Sequence, residues 1–283
     1  DGSEVLLELA FNELELGGER FFVAFIRDIT ERERNRRELL EHAEQFRVAR
    51  EIQQHLFPKA PPQLPGFDIA GASFPATAAG GDYFDFMPMA DNGLGLVVGD
   101  VTGHGIGPAL LMAETRAYVR IAALNRAEPA DVLTRTNVAL AEDIGSERYV
   151  TLFLGRLDAG ARRLSYVSAG HPPGYVLAAD GAVRQELRRT GVPLGMRAST
   201  QYRSLPPIEL HPGEIVVLLT DGIEEALGPG EEMFGTERIF SVIRANRERT
   251  AAQIVDALYL AVREFGRGIE QQDDVTAIVM KVL

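Results

Sequence analysis

Three apolar stretches constrain this chain more than any other feature. Residues 93–99 (GLGLVVG) and 214–220 (EIVVLLT) read as nearly continuous apolar strands, and 275–282 (VTAIVMKV) as a third. Strands without polar alternation are buried on both faces, so they belong inside a layered fold. Each is bounded by aspartate. Asp100 and Asp221 follow the first two, and Asp273-Asp274 precede the third. Asp82, in Gly-Gly-Asp, precedes a fourth strand at 83–89. A strand end can carry a charge without burying it unpaired. If these ends share one rim, four or five carboxylates meet there and repel strongly unless cations neutralise them. Oxygen ligands without a His or Cys cluster select Mg²⁺ or Mn²⁺ over zinc. Singly, each acid has a plainer reading: Asp221-Gly222 as a turn, Asp82 as a loop acid or helix cap, Asp273-Asp274 as surface charge. Their recurrence at strand boundaries is what points to a site.

The remaining elements are expected as follows. Strands at 4–12 and 19–27, joined at Leu16-Gly17-Gly18, form a hairpin. A lone hairpin is marginal in water, so it should belong to a larger sheet, and the chain, which starts at Asp1, reads as a fragment of a longer protein. Residues 30–57 are rich in helix formers, with an apolar stripe through Leu39, Ala43, Phe46, Ala49 or Arg50, Ile52 or Gln53, and Leu56. That stripe suits a solvated connector packed on its own domain or a dimerising coiled coil. Pro58 stops the helix. Beyond residue 66, strands are expected at 67–75, 148–157, 163–168, 174–179 and 182–187, with helices from Pro108 to about 125 and at 130–144. Thr236 and Thr250 suit the N-caps of two more helices, and Thr250 with Gln253 makes a capping box. Strands in runs with helices in pairs argue for an α+β fold of antiparallel sheets covered by helices.

The bulk chemistry narrows function. The net charge is -12, which disfavours a nucleic-acid partner. There is no cysteine, so disulfides, zinc thiolates and cysteine nucleophiles are excluded, as suits a reducing cytoplasm. No apolar run approaches the length of a membrane span. The loop from Gly99 to Gly107 is glycine-rich but lacks the Lys-Ser/Thr of a Walker loop and the spacing of a dinucleotide fingerprint.

GGDYFDF at 80–86, GDVTGHGIGPAL at 99–110, SAGHPPG at 168–174, LLTDGIEEA at 218–226 and QDDVTAIVM at 272–280 together resemble the PPM metal-dependent phosphatases, in their bacterial RsbU- and SpoIIE-type group. The resemblance covers about residues 45–283. It implies a PPM-like antiparallel β-sandwich flanked by helices, with two Mn²⁺ or Mg²⁺ ions at one end. Asp100 would bridge the ions, the Val101 carbonyl and Asp82 would serve one of them, and Asp221 and Asp273 the other. Adjacent acids leave the choice between Asp273 and Asp274 open. Asp85 would be structural or would support the ligands. His104 is a structural residue or a general acid, and His171 a packed loop histidine. The implied substrate is a phosphorylated regulatory protein of STAS type. The first thirty residues resemble the end of a PAS sensor domain. The expected organisation is therefore 1–29 PAS-like, 30–65 helical linker with a homodimer through it as one option, and 66–283 phosphatase. The rivals are a non-catalytic pseudophosphatase scaffold and a diguanylate cyclase. GGDYF resembles the GGDEF turn of the cyclases, but Tyr83 stands where that turn needs an acid.

Overall fold

The computed structural model describes residues 4–76, 80–103, 105–125, 127–145 and 148–283. The chain divides into two compact units, Asp1–Val48 and Ala49–Leu283. In the first, β1 (Leu7–Leu16) and β2 (Glu19–Asp28) pair antiparallel. Both turn glycines, Gly17 and Gly18, adopt positive φ, which an L side chain rarely tolerates. Helix α1 (Thr30–Gln54) begins directly after the hairpin. Its start is fixed by Thr30, whose N–H donates to Asp28 Oδ1 at 2.9 Å and whose Oγ1 accepts from Leu6 N at 2.8 Å.

The larger unit holds two five-stranded antiparallel sheets. The first has the order β10 (Ile208–Glu209), β7 (Arg163–Ala169), β6 (Val150–Asp158), β5 (Leu94–Val101), β4 (Tyr83–Pro88). The second has the order β3 (Phe67–Phe74), β12 (Val275–Val282), β11 (Ile215–Leu219), β8 (Gly174–Leu177), β9 (Val183–Leu187). Along β5, side chains alternate between two cores. Leu96 and Val98 meet Val216, Leu218, Ile278 and Met280 between the sheets. Val97 instead packs outward against α2 (Ile106–Leu124) and α3 (Pro129–Asp143) through Met112, Val119 and Leu133. On the far side, Val217 and Val279 pack on α5 (Gly235–Asn246) and α6 (Ala251–Phe265). Both faces of the central strands are thus buried, which is why their sequences are continuously apolar. The fold is the helix-flanked antiparallel α+β sandwich expected from the sequence.

Local details differ from the sequence reading, beginning with the first strand, which runs Leu7–Leu16 and not 4–12. The first helix ends at Gln54, not 57, because Phe57 turns inward and stacks on Phe84 with ring centroids 5.3 Å apart. Strand β10 is too short to register in a periodicity. Asp221 opens a one-turn helix, α4 (Asp221–Glu224), instead of a simple turn. Thr236 does not cap α5; the cap position falls on Phe234 without a side-chain bond. Phe234 is buried edge-on to Phe265, and that packing sets the start of the helix. The Thr250–Gln253 capping box forms as expected.

Candidate metal centre

The antiparallel pairing brings the acids together. In the first sheet Tyr83 opposes Gly99, so Asp82, just before β4, and Asp100, near the end of β5, reach one edge. In the second sheet Leu219 opposes Ala277, which brings Asp221, just past β11, level with Asp273-Asp274, just before β12. Direct bonds join the two edges. Thr220 Oγ1 donates to Asp82 Oδ2 at 2.8 Å, and the Asp82 N–H donates to Asp274 Oδ2 at 3.3 Å.

Glycine makes this approach feasible. A methyl group at Gly81 would lie 2.5 Å from the Val101 carbonyl oxygen and 3.0 Å from Asp100 Oδ1. One at Gly80 would collide with the Asp274 carboxylate, and one at Gly222 with the Asp274 backbone oxygen. The Val101 carbonyl therefore borders the same small space as the Asp100 carboxylate.

The crowding has electrostatic consequences. The Asp100 carboxyl is pushed up to about 7, first by burial and then by Asp221, Asp273 and Asp274. Asp82 is buried and held well above the usual carboxylate range, first by burial and then by Asp100 and Asp274; hydrogen bonds to Thr276 and Thr220 oppose the shift. Asp273 lies at the surface and is raised by partial desolvation, with Asp221, Asp274 and Glu225 adding to it. Among the described residues, none of these five acids pairs with a Lys, Arg or His. The carboxylates do not close into a ready-made ligand shell among the described residues. The donor set nonetheless consists of oxygen alone, carboxylates plus a carbonyl, with its negative charge uncompensated. That chemistry fits hard divalent cations.

Asp273 and Asp274, adjacent in sequence, are used differently. Asp274 is buried; its Oδ1 accepts from Ala76 N at 2.8 Å and its Oδ2 from Asp82 N. Among the described residues Asp273 Oδ1 accepts one bond, from the neighbouring Asp274 N–H at 2.8 Å, and the residue is exposed.

Two residues given no site role from the sequence hold the rim. Thr220 bonds Asp82 as above, and its Oγ1 also accepts from Thr276 N at 3.1 Å. Gln53, buried near the end of α1, grips both backbone polar groups of one residue. Its Nε2 donates to Gly80 O at 2.7 Å, and its Oε1 accepts from Gly80 N at 3.2 Å. A glutamine among the helix formers of 30–57 carries no signal of that role, whereas Thr220 sits beside Asp221 and could have been suspected.

His171 is buried, as expected of a packed loop histidine. Its Nε2 lies 3.1 Å from Leu219 O, so Nε2 carries the proton, and Nδ1 accepts from Thr151 Oγ1 at 3.0 Å. Burial pushes its pKa down to about 3. It is neutral and bridges the two sheets. Asp85 is wholly buried and serves structure: Arg120 donates to both its oxygens at 2.6 and 2.7 Å, and Tyr83 Oη donates at 2.8 Å. His104 lies outside the described residues. Among the described residues, no helix is long and apolar enough to cross a membrane.

Comparison with known proteins places this geometry. The family model described as Stage II sporulation protein E (SpoIIE) matches residues 90–283, well over half of the chain. Protein IcfG of Synechocystis sp. is 28% identical over 259 residues, spanning 82% of this chain and 40% of IcfG. Phosphoserine phosphatase RsbU of Bacillus subtilis is 24% identical over 237 residues, spanning 84% of this chain and 70% of RsbU. The match thus spans less than half of one relative and most of the other. The SiaA-PP2C domain of Pseudomonas aeruginosa superimposes with a TM-score of 0.74 at 24% identity, covering 86% of this chain and 97% of that domain. The chain belongs to the SpoIIE family, built on the fold of PP2C-type phosphatase domains.

Proposed function

We propose that this chain is a metal-dependent protein phosphatase that hydrolyses phosphoserine or phosphothreonine on a regulatory protein, a STAS-type protein by family resemblance. The observation that carries the reading is the convergence of strand-end acids from two sheets on one rim, without a protein cation among the described residues to offset them. Asp100, the Val101 carbonyl, Asp82, Asp221 and Asp273 would hold two Mn²⁺ or Mg²⁺ ions, with Asp100 between them. Bound there, the ions would supply a water-derived nucleophile at neutral pH and offset charge on the phosphoryl oxygens. Asp273 is the better ligand of the adjacent pair, because backbone amides already occupy both oxygens of Asp274. Asp274 instead fixes the backbone on either side of Gly80. Thr220 holds Asp82 by its Oδ2.

The test is hydrolysis of p-nitrophenyl phosphate with Mn²⁺ by the wild type and Asp100→Asn. The variant should lose on the order of 10²-fold or more, because the lost carboxylate would help hold the ions. Equal, near-zero rates in both proteins would refute the reading and favour a non-catalytic scaffold.

A further inference from the structure

A cleft of about 300 Å³ opens beside the acid rim, between the residues after Asp221, the end of α6 and the segment 266–275. It is continuous with the rim, since Gly222 and Asp273 line it. Its floor is apolar, formed by Ala226, Leu227, Val262, Ile269 and Val275. Its mouth carries Glu225 and Glu270 against a single guanidinium, Arg263. Glu225 lies close enough to raise the Asp273 carboxyl, so the cleft and the rim share one field.

These features define the occupant. The volume sits at the lower end for ligand pockets, enough for one or two side chains. The opening adjoins the rim, so residues flanking a phosphorylated residue held at the rim are within reach of it. The apolar floor gains free energy from an apolar neighbour. Two carboxylates against one guanidinium, on a chain of net charge -12, repel an acidic neighbour and attract a basic one.

We propose that this cleft is the specificity subsite for residues flanking the phosphoserine, taking an apolar side chain next to a basic one. The proposal rests on the metal-centre reading above. It is tested on the full chain with Mn²⁺, using a panel of phosphoserine peptides of equal length. Within three residues of the phosphoserine each peptide carries Leu-Lys, Leu-Glu, Gly-Lys or Gly-Glu. The Leu-Lys peptide should exceed Gly-Glu in kcat/KM by about 10-fold or more, mostly through KM, as expected for a small apolar pocket. Glu270→Lys, at an exposed position, should shrink the Lys-over-Glu preference toward parity. Ala226→Trp, which fills the cleft, should shrink the Leu-over-Gly preference. A flat panel, a preference for acidic flanks, or identical preferences in both variants would overturn the subsite. If p-nitrophenyl phosphate is hydrolysed while the panel is flat, only the subsite falls. If neither it nor any peptide is hydrolysed, the metal-centre reading falls and takes the subsite with it.

Discussion

Replacing Gln53 by Leu keeps most of the side chain's volume and removes both of its hydrogen bonds to Gly80. The N–H and C=O of Gly80 then lose their partners in a buried setting. Each unsatisfied group costs about 1–3 kcal/mol, so the pair could cost about 2–6 kcal/mol if nothing moved. A local opening at Gly80 that admits water relieves much of this at less expense than unfolding the domain. Metal binding must then close the segment again without its clamp, and that cost falls on metal affinity. A residual penalty of about 1.4–3 kcal/mol is roughly a 10- to 10²-fold loss. The assay is p-nitrophenyl phosphate hydrolysis titrated with Mn²⁺, beside thermal unfolding in a chelator. Gln53→Leu should shift the Mn²⁺ midpoint upward by that factor and leave the chelated melting temperature nearly in place. Gln53→Glu keeps the acceptor for Gly80 N but turns a carboxylate toward Gly80 O, and should be at least as damaging. A Mn²⁺ titration that superimposes on the wild type would refute the reasoning. So would a large fall in melting temperature with unaltered Mn²⁺ dependence, because the bonds would then serve the fold alone.

Mn²⁺ at a hundred times its dissociation constant should stabilise the wild-type domain by about 2.7 kcal/mol, read as a rise in melting temperature, and Asp100→Asn should abolish that rise. His171 should make stability fall in acid. Its folded pKa of about 3 lies below the ordinary histidine value, so its contribution is complete above pH 6.5 and drains away as the pH drops toward 3, at about 1.4 kcal/mol per unit. Between pH 6.5 and 5 the wild type should lose about 2 kcal/mol more than His171→Gln in denaturant unfolding, and parallel losses would count against a buried neutral imidazole.

The acids were legible in the sequence because a charge at the end of a fully apolar strand is visible without knowing which strands pair. Asp100 after GLGLVVG and Asp221 after EIVVLLT needed only the one-dimensional pattern. The sheet order explains why they meet. In each sheet an outgoing and a returning strand are neighbours, so one contributes an acid at its end and the other at its beginning. What holds the acids was not legible. The Thr220–Asp82 bond joins residues 138 positions apart on different sheets, and no local propensity encodes how the sheets stack. Gln53 sits in a helix whose composition reads as solvated, and its burial depends on where Gly80 passes. Asp273 and Asp274 look alike in the sequence, and the amides bound to Asp274 set them apart only in the structure.

Asp82 and Asp85, three residues apart, show how the fold sets two nearby acids in unlike surroundings. Both are buried. Asp85 is met by Arg120 at 2.6 Å, by Arg116 at 3.5 Å and by the Tyr83 hydroxyl. Among the described residues Asp82 receives only neutral donors, and it lies near Asp100 and Asp274. The same substitution should therefore act in opposite directions at the two positions when no metal is bound. Asp85→Asn leaves two guanidinium groups short of a counter-charge. Its cost is about 2–3 kcal/mol, below the usual 3–5 for a broken buried pair because Arg120 is partly solvated. Asp82→Asn keeps an acceptor for Thr220 and removes a like charge from the rim, so it should leave the chelated domain at least as stable as the wild type. With Mn²⁺ the order reverses: wild type and Asp85→Asn gain stability from the ion, and Asp82→Asn gains much less. Urea unfolding at pH 8 with chelator and with Mn²⁺ separates the cases. Destabilisation of Asp82→Asn in chelator by as much as Asp85→Asn would show that its charge is compensated within the fold, and the rim would then be a structural cluster with no call for a cation.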